Sequence, residues 1–213
     1  MKRINFKEKK YDALICLNGL ISDDYIFSEY RNLPIICADG SANLLYNKQI
    51  IPDYIIGDLD SLDKELFKNL ISPEKIIFKP DQNSNDFEKV LKFCLTKKYQ
   101  NVLILGFHGG LLEHSLNNQS VLSRYSKILN INILENKRIA LVVSKSTEFE
   151  VETGETISLI PQPKCRLTTS GLKWELQDQY LELGIREGAR NESTTYLVKL
   201  EIHEGELLFF CDY

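Results

Sequence analysis

The stretch Pro52–Leu62, PDYIIGDLDSL, decides how the chain reads. Its front half, DYIIGD (Asp53–Asp58), is a short apolar run without polar alternation, the pattern of a strand covered on both faces in a parallel sheet. Its back half sets Asp58 and Asp60 on either side of Leu59 directly after that run, where an open parallel sheet gathers its ligands. Four more runs of the same kind lie outward from it: ALICLNG (Ala13–Gly19), PIICAD (Pro34–Asp39), KIIFK (Lys75–Lys79) and NVLILG (Asn101–Gly106). Helical signals fall between them. Ser22–Arg31 opens on Ser-Asp-Asp, and Ser61–Leu70 carries Asp63 and Glu65 in its first turn. Asn85–Lys98 spaces Phe87, Val90, Leu91 and Cys94 for one helix face, and Leu111–Leu129 is the longest candidate.

Strands alternating with helices predict an α/β fold whose N-terminal part is a mostly parallel, Rossmann-like sheet flanked by helices. From about Asn132 the helical period stops. IALVVS (Ile139–Ser144), EFEVE (Glu148–Glu152), TISLIP (Thr156–Pro161), YLVKLEI (Tyr196–Ile202) and ELLFFC (Glu206–Cys211) follow, separated by turn signals that include Glu204-Gly205. This half predicts an all-β sandwich. The expected division is an α/β domain over residues 1–135 and a β domain over residues 136–213. The basic opening (Lys2, Arg3, Lys7, Lys9, Lys10) reads as a solvated lead-in to the first strand.

Composition narrows the function classes. With 26 basic and 30 acidic residues the formal charge is -4, which argues against a phosphate-backbone binder, so no nucleic-acid partner is expected. No apolar run approaches the roughly 20 residues of a membrane span, and no signal-peptide core precedes Tyr11, so a cytoplasmic protein without membrane association is expected. The five cysteines are scattered, without a C-x-x-C pair, as befits buried thiols in a reducing compartment.

The positions of the acidic residues carry the chemistry. Asp39 ends the second run, Asp58 and Asp60 follow the third, Asp81 and Asp86 follow the fourth, and Glu113 comes shortly after the fifth. Four strand ends thus deliver carboxylates to one edge. Carboxylates so gathered repel one another unless a cation lies among them, and Mg²⁺ takes carboxylate and phosphate oxygens. Gly40, Gly57, Gly106, Gly109 and Gly110 beside them allow close backbone approach to a phosphate. Any single Asp also suits a turn or an N-cap; the joint arrangement is what describes a Mg-nucleotide site. It leaves a phosphatase, a nucleotidyltransferase and a kinase equally open.

The ordered set ADGSANLL (Ala38–Leu45), PDYIIGDLDSL, DQNSNDFEKVL (Asp81–Leu91), GFHGGLLEHSLNN (Gly106–Asn118) and SGLKWEL (Ser170–Leu176) resembles the motif series of thiamine pyrophosphokinases over residues 37–191. The resemblance implies a homodimer of an α/β domain and a β-sandwich that moves the terminal diphosphate of ATP to the hydroxyl of thiamine, releasing AMP. It implies Asp58, Asp60 and Asp86 as Mg²⁺-binding and catalytic carboxylates, with Asp39 an outer member of the cluster. It implies Asp39, Asn43, Gln82, Ser170 and Trp174 as thiamine-side contacts, and Lys89, Gly109, Gly110, Glu113 and His114 as nucleotide-side contacts. Lys89, one turn on from Asp86, suits either a phosphate or an ion pair with Asp86. Trp174, the only Trp, suits either packing or stacking on a cationic heterocycle.

The match has departures. Where the family has Arg, a spacer and Asp-His after its glycine pair, this chain has Leu111, Leu112, Glu113 and His114. Where the family has a Ser-rich segment ending in Ser-Asn, it has Gly188-Ala189-Arg190-Asn191, and Ser41 replaces a glycine of the first motif. Two alternatives stay open beside the enzyme: a thiamine-binding or weakly active homologue, and a diphosphokinase acting on a related heterocyclic alcohol.

Overall fold

A computed structural model describes residues 1–213. The chain opens with β1 (Lys2–Ile4) and continues through β2 (Ala13–Cys16), α1 (Tyr25–Glu29), β3 (Ile35–Ala38), α2 (Ser41–Asn47), β4 (Tyr54–Gly57) and α3 (Lys64–Phe67). Next come β5 (Ile76–Phe78), α4 (Asp86–Thr96), β6 (Asn101–Leu105), α5 (Leu112–Tyr125) and β7 (Asn130–Glu135). The remainder is strand: β8 (Arg138–Val143), β9 (Thr147–Glu150), β10 (Thr156–Ser170), β11 (Gln179–Glu182), β12 (Gly188–Glu192) and β13 (Leu197–Asp212). The fold is mixed α/β. It divides into two compact units, Tyr11–Asn136, and Met1–Lys10 together with Lys137–Tyr213. No helix is long and apolar enough to cross a membrane, and all five cysteines are buried and free.

In the first unit six strands form a parallel sheet in the order β7-β6-β2-β3-β4-β5. All four residues of β2 are buried, which is why its sequence is apolar without alternation. The chain runs outward from β2 through β3, β4 and β5, then returns to place β6 on the other side of β2. Connections from β2 and β6 therefore run in opposite directions, to β3 and to β7, and such a switch between neighbouring strands opens a crevice at their carboxyl ends. α4 packs Phe87, Val90, Leu91 and Cys94 inward, and its N-cap Asn85 accepts a hydrogen bond from the Glu88 N–H at 2.9 Å.

Two helices are shorter than their sequence signals. α3 starts three residues after Ser61, because Asp63 takes the capping role and accepts from the Leu66 N–H at 3.1 Å. α1 covers only Tyr25–Glu29, and Ser22 bonds instead to Asp23 and Asn136. α2 and β7 had no separate expectation. α2 is a seven-residue helix hidden inside a glycine-containing motif, and β7 is a strand directly after the longest helix, with Ile131, Ile133 and Leu134 in the core.

The second unit is built on β10 and β13, which pair antiparallel along most of their length. The first part of β13 also pairs with β9 and its last part with β8, while β11 and β12 both pair with β10. The Glu204-Gly205 signal does not turn the chain. β13 runs straight through it with a register shift against β10, and Gly205 sits at φ +77°. A Cβ there would lie 2.1 Å from the Lys164 carbonyl oxygen, so the glycine serves a bulge rather than a hairpin.

The basic opening is a correction to the sequence reading: Met1–Lys10 joins the second unit instead of leading into the first strand of the sheet. β1 pairs in parallel with β9, Ile4 opposite Phe149. The reason lies in the apolar residues among the bases. Ile4 and Phe6 are buried, and Phe6 stacks on Phe149 at 6.1 Å, which stacks on Phe209 at 3.8 Å. The bases meet carboxylates at the surface, Arg3 with Glu148 at 3.5 Å and Lys7 with Glu152 at 2.9 Å.

Removing a fully packed Phe costs about 3 kcal/mol or more. Phe6→Ala is therefore expected to lower the unfolding free energy of the second unit by roughly that amount. The fluorescence of Trp174, the only Trp, follows this unit in a denaturant titration. A loss well under 1 kcal/mol would restore the segment to a solvated lead-in.

Candidate active site

At the carboxyl ends of the parallel strands a cleft of ≈ 920 Å³ opens, lined among others by Asp39, Asp58, Asp60, Lys89, Gly109 and Gly110. Asp39 is the first residue after β3 and takes a left-handed backbone, φ +41°. Its side chain is buried; Oδ2 accepts from the Ser61 N–H at 3.1 Å, and Oδ1 has no hydrogen-bond partner. Burial, with the nearby charges of Asp86 and Asp60, pushes its pKa up to about 6.

Asp58 and Asp60 follow β4 on either side of Leu59, whose φ of +60° is rare for a residue of its kind. The Leu59 side chain is buried, which holds this reversal in place. Asp58 accepts from Gln82 Nε2 at 3.1 Å, and this bond, with the charge of Lys89, holds its carboxyl below the usual range. Asp60 is exposed and accepts from the Ser61 hydroxyl at 3.0 Å. Carboxylate oxygens of Asp39, Asp58 and Asp60 lie within 4.8 Å of one another.

Asp86 faces this group from the first turn of α4. Its Oδ1 meets Lys89 Nζ at 2.9 Å, and the same ammonium lies 3.8 Å from Asp58 Oδ2. Lys89 is buried, while the Asp86 side chain stays partly exposed at the cleft. Burial raises the Asp86 pKa, against the pull of Lys89. Gly57 makes the convergence possible: a Cβ there would fall 2.7 Å from Asp39 Cβ and 3.2 Å from Asp86 Oδ1.

An all-carboxylate oxygen set with one buried, unpartnered oxygen fits a hard divalent cation. The three oxygens nearest one another include Asp39, read from sequence only as an outer member, while Asp86 engages Lys89. Gln82, Gly109, Gly110, Glu113 and His114 all line the cleft. Asn43 does not. Its amide donates to the Ser61 carbonyl at 2.8 Å and accepts from the Asp63 N–H at 3.1 Å, stapling the loop that carries Asp60. Leu111 occupies the N-cap of α5 without a side-chain cap and is 59% exposed.

Ser170 and Trp174 belong to the second unit. Ser170 ends β10 and is exposed. Trp174 follows in a turn whose backbone is clamped by Asn191: the Trp174 N–H donates to Asn191 Oδ1 at 3.2 Å, and Asn191 Nδ2 donates to the Trp174 carbonyl at 2.9 Å. The indole stays 59% exposed, with Lys173 Nζ 5.1 Å from its ring. The sequence reading gave no role to Asn118. It accepts from Asn85 Nδ2 at 3.0 Å and donates to the Phe107 carbonyl at 3.0 Å, tying the cap of α4 to the glycine loop. Its spacing of one helical turn from His114 was the available signal.

Comparison with known proteins places the whole chain. Residues 30–134 match the family model described as thiamin pyrophosphokinase, catalytic domain, and residues 142–205 match thiamin pyrophosphokinase, vitamin B1 binding domain. The chain is 28% identical over 183 residues to thiamin pyrophosphokinase 1 of Caenorhabditis elegans, covering 78% of this chain and 74% of that protein. It is 28% identical over 174 residues to thiamine pyrophosphokinase of Bacillus subtilis, covering 78% and 80%. The fold is shared with the crystal structure of yeast thiamin pyrophosphokinase, with a TM-score of 0.84 at 19% identity over 99% of this chain and 90% of that one. It is also shared with the Bacillus subtilis structure, with a TM-score of 0.78 at 22% identity over 94% and 98%. The two family matches lie end to end and take in most of the sequence: the chain belongs to the thiamin pyrophosphokinase family.

Proposed function

We propose that this protein transfers the terminal diphosphate of ATP to the hydroxyl of thiamine, giving thiamine diphosphate and AMP. The observation that carries the reading is the convergence of Asp39, Asp58 and Asp60 in a glycine-lined cleft, with one buried carboxylate oxygen left unpartnered. Asp39, Asp58 and Asp60 would hold Mg²⁺, which supplies charge neutralisation on the phosphates of bound ATP.

In the transfer the thiamine oxygen forms a bond to the β-phosphorus as the bridge between the α- and β-phosphates breaks. AMP leaves with the bridging oxygen, and the hydroxyl proton passes to a carboxylate of the cluster. Little covalent work falls to the protein, so its residues act by position. Lys89 meets phosphate charge, Gly109 and Gly110 admit the phosphate chain to the backbone, and Glu113 and His114 lie beside it on the first turn of α5. Gln82 orients Asp58 and faces the acceptor. Ser170 and Trp174 serve thiamine, the exposed indole offering its face to the cationic thiazolium. In this reading the first unit is the Rossmann-like nucleotide-binding domain and the second a β-sandwich that binds thiamine and joins two copies as a homodimer. Free, buried thiols suit a cytoplasmic setting.

Leu111 favours a second reading. An exposed leucine stands at the cleft where the family resemblance of the sequence implies a cation, which suits a protein that binds thiamine but turns over weakly. Tight thiamine binding in a calorimeter with no product formed would select it.

Purified protein with Mg-ATP and thiamine is expected to yield thiamine diphosphate and AMP in equal amounts, and to stop when the metal is chelated. ADP as product would overturn the proposal. Asp39→Asn, Asp58→Asn and Asp60→Asn are each expected to cut kcat by about a hundredfold or more with unchanged melting behaviour; near-normal turnover in any of them removes that residue from the metal set. Trp174→Ala is expected to raise the KM for thiamine by about tenfold and leave that for ATP alone. Loss of folded protein in that variant would assign the ring to packing.

A further inference from the structure

Glu135, the last residue of β7, is outside the cleft lining and outside every motif named above. Its carboxylate grips a single residue of the neighbouring loop. Oε1 accepts from the backbone N–H of His108 at 2.7 Å, and Oε2 lies 3.1 Å from His108 Nδ1. The carboxylate is largely shielded while the His108 ring is exposed, so the backbone bond is the better protected of the two.

His108 sits in the loop between β6 and α5, flanked by Gly106 at φ +66°, Gly109 at φ +120° and Gly110 at φ +72°. Three glycines in left-handed conformations leave the loop with little preference of its own, so contacts from outside must set its shape. The His108 carbonyl accepts from the Leu20 N–H at 2.8 Å, and the Gly106 carbonyl from the Gly19 N–H at 3.1 Å. The loop after β2 presses directly on this backbone: a Cβ at Gly19 would lie 2.2 Å from the His108 oxygen. The Phe107 carbonyl accepts from Asn118 Nδ2 at 3.0 Å. Among these ties, that to Glu135 alone uses a charged group, and charge-assisted hydrogen bonds are the stronger kind.

We propose that Glu135 is a positioning residue for the nucleotide: through the His108 backbone it fixes the Gly106–Gly110 loop in the shape that sets Gly109 and Gly110 along the cleft. The proposal rests on the reading of that cleft as the Mg-ATP site. It differs in sign from the effect of charge alone. A carboxylate near a phosphate site repels the ligand, so neutralising it would tighten nucleotide binding. Loss of a tie that shapes the site weakens binding, and an uncharged acceptor of the same length restores it. A merely stabilising role would give a third pattern, a smaller active fraction with KM values unchanged.

The test compares wild type, Glu135→Ala and Glu135→Gln. ATP and thiamine are varied in turn under excess Mg²⁺, the Kd for a non-hydrolysable ATP analogue is measured by calorimetry, and melting curves are recorded. Glu135→Ala is expected to raise the KM for ATP and the analogue Kd by about tenfold, the loss of one hydrogen bond to a charged group. The KM for thiamine should hold within about twofold, and Glu135→Gln should restore most of the affinity for ATP. Equal or tighter nucleotide binding by Glu135→Ala would overturn the proposal, as would equal weakening in both variants or a fall in kcat alone. Should Glu135→Ala not yield folded protein, Glu135→Asp, which withdraws the acceptor by one methylene, carries the same expectation for ATP and the same refutation. A wild-type protein that does not bind the analogue removes the nucleotide reading and this proposal together. Wild type and Glu135→Ala binding it equally removes the proposal only.

Discussion

Mutual repulsion among carboxylates is the constraint on which the rest of the first unit depends. Asp39, Asp58, Asp60 and Asp86 are drawn to one strand edge, and two like charges 4 Å apart near a protein surface repel by about 4 kcal/mol. A fold selected for stability alone would scatter them. The surrounding structure shows what holds them together: the buried Lys89 between Asp86 and Asp58, the Ser61 N–H on Asp39, the Gln82 amide on Asp58, and a glycine at position 57 where any side chain would collide with the cluster. Left-handed backbone at Asp39 and Leu59 completes the arrangement. Strain and like charge gathered at one point are the usual marks of a site organised for a ligand.

Much of this was legible in the sequence, for a physical reason. A strand buried on both faces must be apolar throughout, so the runs ending at Cys16, Ala38, Gly57 and Leu105 announced themselves, and an Asp just past such a run has few places to go. The closeness of Asp39 to Asp58 and Asp60 was not legible, because it depends on β3 and β4 being neighbours with this register. Asn43 shows the limit from the other side. Its place in a family motif suggested a ligand contact, yet its amide is used on the loop that carries Asp60. Local spacing could not distinguish a residue that touches the ligand from one that shapes the residue that does.

The second unit was harder to read. Burial alternates along β9 and β10, yet the Glu204-Gly205 turn signal proved to be a bulge inside one long strand. Glycine at a bulge and glycine at a hairpin answer the same demand for left-handed backbone, so sequence alone does not separate them. The basic opening misled in another way. Its charges drew attention, while the two residues that place it, Ile4 and Phe6, are spread among them.

That placement bears on the order in which the protein can be made. The α/β unit occupies one unbroken stretch, Tyr11–Asn136, and is complete once that stretch has left the ribosome. The β unit cannot be. β1 emerges first but its partner β9 is more distant in sequence than the whole α/β unit, and the Phe6–Phe149–Phe209 stack closes only when β13 has been synthesised. The α/β unit is in effect an insertion within the β unit, and the second part of its host is synthesised only after that insertion is complete. A nascent chain halted before β13 would carry a finished α/β unit and a β unit lacking its central strand.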